Sequence, residues 1–167
     1  MTLLPRLRRF ARGLAGNVDE ADDLVQTACE KALSRLHQWR PSSRLDSWMY
    51  RIIRNTYLDE LRARKTRQDH VLRVIEGETA VPVAVDGERL VEGRMTLEAV
   101  RQGLSSLPEE QRSVVLLVSV EGCTYKEAAE VLGIPPGTVM SRLARGRLAL
   151  AAHIEGAQEA PTQRMIS

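Results

Sequence analysis

The sequence predicts an all-α chain of two small helical units joined by a flexible linker. Three observations carry this. Aromatics make up only 4% of the 167 residues, so Leu, Val, Ile and Ala must fill the core. That mix, with frequent Arg and Glu, favours helix over sheet. Apolar residues recur at three- and four-residue steps in both halves of the chain. Between the halves, from Gln68 to about Arg94, the periodicity fails, and VIEGETAVPVAVDGERLVEG carries three glycines, a proline and mostly acidic charge.

Each element has its own signal. Leu3, Leu4, Leu7, Phe10, Ala11 and Leu14 form one stripe of a first helix, which Gly16 and Asn17 end. Asp19 is placed to cap a second helix, with Leu24, Val25, Ala28, Ala32, Leu33 and Leu36 as its buried stripe. The turn-rich RPSSRLDS follows, and a third helix begins near Asp46 or Ser47, carrying Trp48, Ile52, Tyr57, Leu58 and Leu61. Beyond the linker, Leu97, Val100 and Leu104 resume the helical period. Pro108 then suits a first helical position, ahead of Glu109 and Glu110. Val114, Leu117 and Val118 face one side of that helix, and Gly122 breaks it.

Thr124 and Glu127 have capping-box spacing, so a short helix runs from Tyr125 to Leu132 and stops at Gly133. Pro135 or Pro136 opens the last helix, through Val139, Leu143 and Leu148. A capped helix, a glycine turn and a second helix make a helix-turn-helix. Small Ala128 and Ala129 permit a close crossing. The N-terminal part of the second helix in such motifs enters the major groove. Thr138, Ser141, Arg142 and Arg145 are there to reach phosphates or base edges, and no acid interrupts them.

The third helix has a different chemistry. Between Arg40 and Arg73 stand nine basic residues against four acids, with Trp48, Tyr50 and Tyr57 among them. Basic charge tracks a phosphate backbone, and aromatic faces stack on unpaired bases. A loop such as Pro41 to Ser47 can form one wall of a pocket for a flipped base. Trp48 shares a stripe with Ile52 and belongs to the core, Tyr57 is divided between core and surface, and Arg54 and Asn55 lie beside the stripe.

Composition excludes other classes. A formal charge of +2 does not by itself argue for nucleic acid; its distribution does. Cys29 and Cys123 match no metal or redox spacing and read as small apolar residues in a reducing cytosol. The three histidines form no motif with them, so no metal or cofactor is expected. No apolar run reaches the length of a membrane span, and the basic N-terminal stripe lacks the apolar core of a secretion signal. No nucleophile–base pair or phosphate loop points to an enzyme.

TYKEAAEVLGIPPGTVMSRLARGR resembles region 4 of the extracytoplasmic-function sigma factors, a group of bacterial transcription initiation factors. LPEEQRSVVLLVSVEG resembles the helices preceding it, ADDLVQTACEKAL the region 2 helix, and RLDSWMYRIIRNTYLDELRARK the promoter-opening helix. The resemblance implies a region 2 domain over residues 1–68, a linker over 69–94, a region 4 domain over 95–155 and a tail over 156–167. It implies that Asp22, Asp23, Leu24, Val25 and Gln26 dock on core RNA polymerase. By position, Ser42, Ser43, Arg44, Leu45 and Asp46 of the loop, with Arg51, Arg54, Asn55 and Tyr57 of the helix, are carried over to minus-ten recognition and strand capture. Thr138, Ser141, Arg142 and Arg145 then serve minus-thirty-five recognition.

The partners implied are core RNA polymerase, promoter DNA and an anti-sigma factor that hides the docking faces, in the cytoplasm and without membrane insertion. Glu76, Glu78, Asp86, Glu88 and Glu92 suggest that the acidic linker mimics nucleic acid in the polymerase's RNA-exit path. Two alternatives stand beside this. A stand-alone helix-turn-helix regulator leaves the ADDLVQ helix and the aromatic–basic helix unexplained. A sigma-like decoy for an anti-sigma factor is disfavoured by Arg142, Arg145 and the basic third helix.

Overall fold

The computed structural model describes residues 3–41, 43–74 and 92–163, with side chains described within 3–68 and 97–156. Among the described residues seven α-helices follow in order: α1 (Leu3–Ala15), α2 (Val18–Ser34), α3 (Leu45–Val74), α4 (Glu92–Ser106), α5 (Glu109–Val115), α6 (Tyr125–Leu132) and α7 (Pro136–Gln163). A 3₁₀ turn, Leu36–Gln38, follows α2, and a π turn, Leu116–Val120, extends α5. No strand occurs among the described residues.

Local chemistry sets most boundaries. Gly16 takes φ +84°, a left-handed value that glycine adopts without the Cβ clash. The cap of α2 is Asn17, not Asp19: its Oδ1 accepts the Glu20 N–H at 2.8 Å. Asp19 and Glu20 then lie in the favourable first turn. The capping box of α6 is complete, Thr124 Oγ1 accepting the Glu127 N–H at 3.2 Å and Glu127 Oε2 accepting the Thr124 N–H at 2.8 Å. Gly133 leaves α6 at φ +65°, and Pro136 opens α7.

Two helices outrun their sequence signals. The α3 helix continues past residue 68 to Val74, and α7 continues through the expected tail to Gln163. Most of the expected linker, including the side chains of its five acids, lies outside the described residues.

Helices α1, α2 and α3 pack together as one unit, and α4 to α7 as another. Their cores are continuous. Phe10 and Leu14 of α1, Tyr50 and Ile53 of α3, Leu116 and Leu117 of the π turn, and Val139 and Leu143 of α7 belong to one buried cluster. Burying Phe10 completely is worth about 2–3 kcal/mol. The two units are therefore not separate bodies: α3 packs on α6, and α1 meets α4, α5 and the π turn.

That docking decides which apolar positions find cover. Leu33 and Leu36, expected in a buried stripe, are exposed, as are Leu4, Leu97 and Leu148 from the other periodic positions. All five lie on periodic stripes, yet no neighbouring helix covers them. Periodicity locates a face but does not supply the surface that buries it.

Candidate nucleic-acid interface

The loop after α2 and the first turns of α3 form one side of a cavity of about 550 Å³. Lys31, Arg35, Arg40, Arg44 and Arg51 give it a basic lining, and Trp48, Asn55 and Thr56 also line it. Its opposite side is α6, through Glu127, Glu130 and Val131. Lys31 is held by a bond from Nζ to Thr56 Oγ1 at 3.2 Å.

The expected minus-ten residues divide in this setting. Ser43, Leu45, Arg51 and Asn55 are exposed, and Ser42 lies outside the described residues. The Ser43 hydroxyl donates to the Arg40 carbonyl at 2.8 Å, tightening the loop. Asp46 is shielded and accepts from Arg44 Nη2 at 2.7 Å and Arg6 Nη1 at 3.0 Å. The Arg44 hydrogen bond holds the Asp46 carboxyl down at about 2, against the opposing effect of burial. Tyr57 is a correction: it is buried, and its hydroxyl accepts from Arg112 Nη1 at 3.2 Å. Its helical register points it at α5 rather than at solvent. Trp48 is half-buried against the core, as its stripe predicts, and it also lines the cavity.

Three arginines of this face are already paired across the chain. Arg44 meets Glu127 at 2.5 Å, Arg54 meets Glu109 at 3.0 Å, and Arg51 donates to the Glu130 carbonyl. Glu127 is held below the usual carboxylate range, first by the Thr124 amide and more weakly by Arg44.

The polymerase-docking set also splits. Asp22, Asp23 and Gln26 are exposed along α2, while Leu24 and Val25 turn inward and are buried. A contiguous run on a helix cannot share one face, so the two apolar members belong to the core. Asp22 pairs loosely with Arg8 at 3.6 Å, and Gln26 donates to Glu30 at 3.3 Å.

At the start of α7, Ser141 and Arg145 are exposed and Thr138 is half-buried. Ser141 donates to the Thr138 carbonyl and Arg145 to the Ser141 carbonyl, at 3.1 and 3.3 Å. Arg142 is mostly covered and pairs with Glu110 at 2.7 Å. Arg147 leans back on the Ser119 hydroxyl at 3.0 Å.

Sequence reasoning missed the residue at the centre of the docked units. Glu121 follows the π turn, its N–H bonded to the Leu116 carbonyl at 2.9 Å, and its side chain is fully buried. It accepts from Tyr50 Oη at 2.7 Å, from Arg9 Nε at 2.8 Å and from Arg6 Nε at 3.4 Å. The only signal was a lone acid after the apolar LLVSV and before a helix-ending glycine. Burial, then the Glu121 contact, pushes the Tyr50 hydroxyl far above its ordinary range, so Tyr50 remains a donor. Arg112 adds bonds to the Leu14 and Leu107 carbonyls, both at 2.9 Å, tying α1 to α5.

The fold and this surface define a helix-turn-helix protein carrying a second, basic helical unit. The family description "Sigma-70 region 2" matches residues 1–67 and "Sigma-70, region 4" matches residues 97–150. The ECF RNA polymerase sigma factor EcfG of Rhodopseudomonas palustris is 32% identical over 161 residues, covering 95% of this chain and 86% of that one. SigM of Mycobacterium tuberculosis is 37% identical over 146 residues, covering 87% and 70%. The sigma factor RpoE from Bartonella quintana, solved in complex with the anti-sigma factor NepR, superposes with a TM-score of 0.75 at 28% identity over 92% of both chains. The chain belongs to the extracytoplasmic-function sigma factors of the sigma-70 family. It is a transcription initiation factor and not an enzyme.

Proposed function

We propose that this chain docks on core RNA polymerase through Asp22, Asp23 and Gln26, with Leu24 and Val25 holding that helix face from behind. The loop Ser42–Asp46 with Arg51, Arg54 and Asn55 receives the opened minus-ten strand, while Thr138, Ser141, Arg142 and Arg145 read the minus-thirty-five duplex. One observation carries the reading: a single chain holds a capped helix-turn-helix and a basic cavity lined in part by Trp48. The first suits a duplex groove and the second an unpaired base. The assignment of residues 1–68 and 95–155 to these two tasks, with 69–94 joining them, belongs to the same proposal.

An anti-sigma factor is the expected inhibitor, because a sigma factor of the same overall fold was solved with one bound. No helix among the described residues is long and apolar enough to cross a membrane, and we place the chain in the cytoplasm, where polymerase works.

The test is transcription by purified core polymerase on a promoter panel. Addition of this chain is expected to produce specific start sites. DNA binding that core polymerase leaves unchanged, with no specific initiation, favours a stand-alone regulator instead.

A further inference from the structure

We propose that Met140 and Ala144, on the open face of α7, read thymine methyl groups in the minus-thirty-five duplex, beside the polar contacts of Ser141 and Arg145. This rests on the proposed role of α7 in that duplex.

The register of α7 decides which side chains it presents. Val139 and Leu143 are buried. Gly146 continues their side, since a Cβ there would meet the Val115 side chain at 2.8 Å. Gly137 lies about two and a half turns before Gly146 and therefore on the opposite side. A Cβ at Gly137 would meet nothing within 4 Å. Residues three, four and seven apart share a helix face, so Gly137, Met140, Ser141 and Ala144 form one open face, and all four are exposed. Arg142 stands at its edge, mostly covered and paired with Glu110.

That face carries two columns of different chemistry. Ser141 and Arg145, one turn apart, bring a hydroxyl and a guanidinium. Met140 and Ala144, one turn apart beside them, bring no hydrogen-bond donor. The Met140 side chain is large, apolar and 54% exposed. Phosphate oxygens offer a thioether no partner. Among base edges in the major groove, the apolar feature is the C5-methyl of thymine. A flexible, polarizable methionine adapts to such a methyl. Ala144 is short and reaches one only where the helix lies close to the bases. Gly137 and Ser141 are its small neighbours at the centre of the face, so no bulky side chain there holds the helix away. Leu148 extends the apolar column, but about 12 Å beyond Met140 along the axis, past the N-terminal part that enters the groove.

The consequence is a preference that hydrogen bonding alone does not produce. Uracil presents the same hydrogen-bonding edge as thymine and lacks only the methyl. Exchanging the two therefore isolates the apolar column from Ser141 and Arg145.

The experiment assembles the full chain with core RNA polymerase and offers it a pool of random-sequence duplexes. In the enriched duplex, each thymine of the upstream block is replaced singly by uracil, and affinity is read by competition. The wild-type chain is expected to lose about fourfold at one or more positions, the factor that one buried carbon carries. Met140→Gln is expected to bind the thymine duplex more weakly and to lose the distinction at one of those positions, whereas Met140→Leu keeps it. Arg145→Ala is expected to weaken the thymine and uracil duplexes alike. The exposure of Met140 means that its substitution spares the core, which far-ultraviolet circular dichroism checks. Uracil bound as well as thymine at every position of an enriched block overturns the proposal alone. A thymine preference that Met140→Gln retains in full overturns it equally. A pool that yields no enriched upstream block overturns the minus-thirty-five reading, and the proposal with it.

Discussion

Tyr50 donates its hydroxyl to the buried Glu121 carboxylate at 2.7 Å, joining α3 to the turn before the helix-turn-helix. The same ring packs edge-on against Phe10, with centroids 4.9 Å apart. A single side chain thus serves the core of one unit and the charged contact with the other.

Tyr50→Phe separates those two roles. The ring contact survives and one charged hydrogen bond is lost, so unfolding stability falls by about 1.5–3 kcal/mol. Tyr50→Ala also empties the ring's place and costs about 3–5 kcal/mol. Chemical denaturation of the three chains at one pH checks the order.

Gly13 of α1 faces Leu116 of the π turn. A Cβ there would overlap both Leu116 δ-carbons, the farther at 2.8 Å. In an isolated helix, Gly→Ala gains about 1 kcal/mol. Here Leu116 is buried and cannot swing clear, so Gly13→Ala is expected to weaken the contact between units while far-ultraviolet circular dichroism stays unchanged or rises. A sharper, more stable transition with an unchanged radius of gyration contradicts this.

Acid weakens the loop at the head of α3. Asp46 is held at about 2, so its folded value lies below its ordinary 3.8. A depressed carboxylate contributes fully above its unfolded value and loses that contribution as pH falls through the folded one. The window is therefore about pH 4 down to about pH 2. Arg44 is largely exposed, which limits the contribution to about 1–2 kcal/mol. Glu127 is shifted in the same direction and adds to the loss. Asp46→Asn is expected to be less stable at neutral pH and to lose less than wild type across this window.

If Arg142 and Arg145 contact the duplex as proposed, they differ in what they give up to do so. Arg145 is exposed and bonds only its own helix, whereas Arg142 must leave Glu110. Arg145→Ala is expected to weaken minus-thirty-five duplex binding by about 1–3 kcal/mol. Arg142→Ala loses less, because its pairing with Glu110 offsets part of the gain. Equal losses in a titration of duplex DNA count against a competing role for Glu110.

Much of the architecture was legible as local pattern. The α6 cap, the left-handed Gly133 and the Pro136 start are each set by a few adjacent residues, and the structure places them at those positions. The helix-turn-helix and the basic character of α3 were therefore readable without knowledge of neighbours. Asn17 was mistaken for an end rather than a cap because both roles suit the same residue type.

What the tertiary structure alone decided is who faces whom. Arg54 and Glu109 are 55 positions apart, Arg44 and Glu127 are 83, and Arg9 and Glu121 are 112. Helical periodicity links residues three or four apart and carries no information across such distances. Tyr57, divided between core and surface by its position, is buried in the structure and bonded by Arg112 of α5, whereas the burial of Leu24 and Val25 followed from their stripe. The order of residues determined two helical units and their chemistry; the packing of one against the other determined which charges are free to meet DNA.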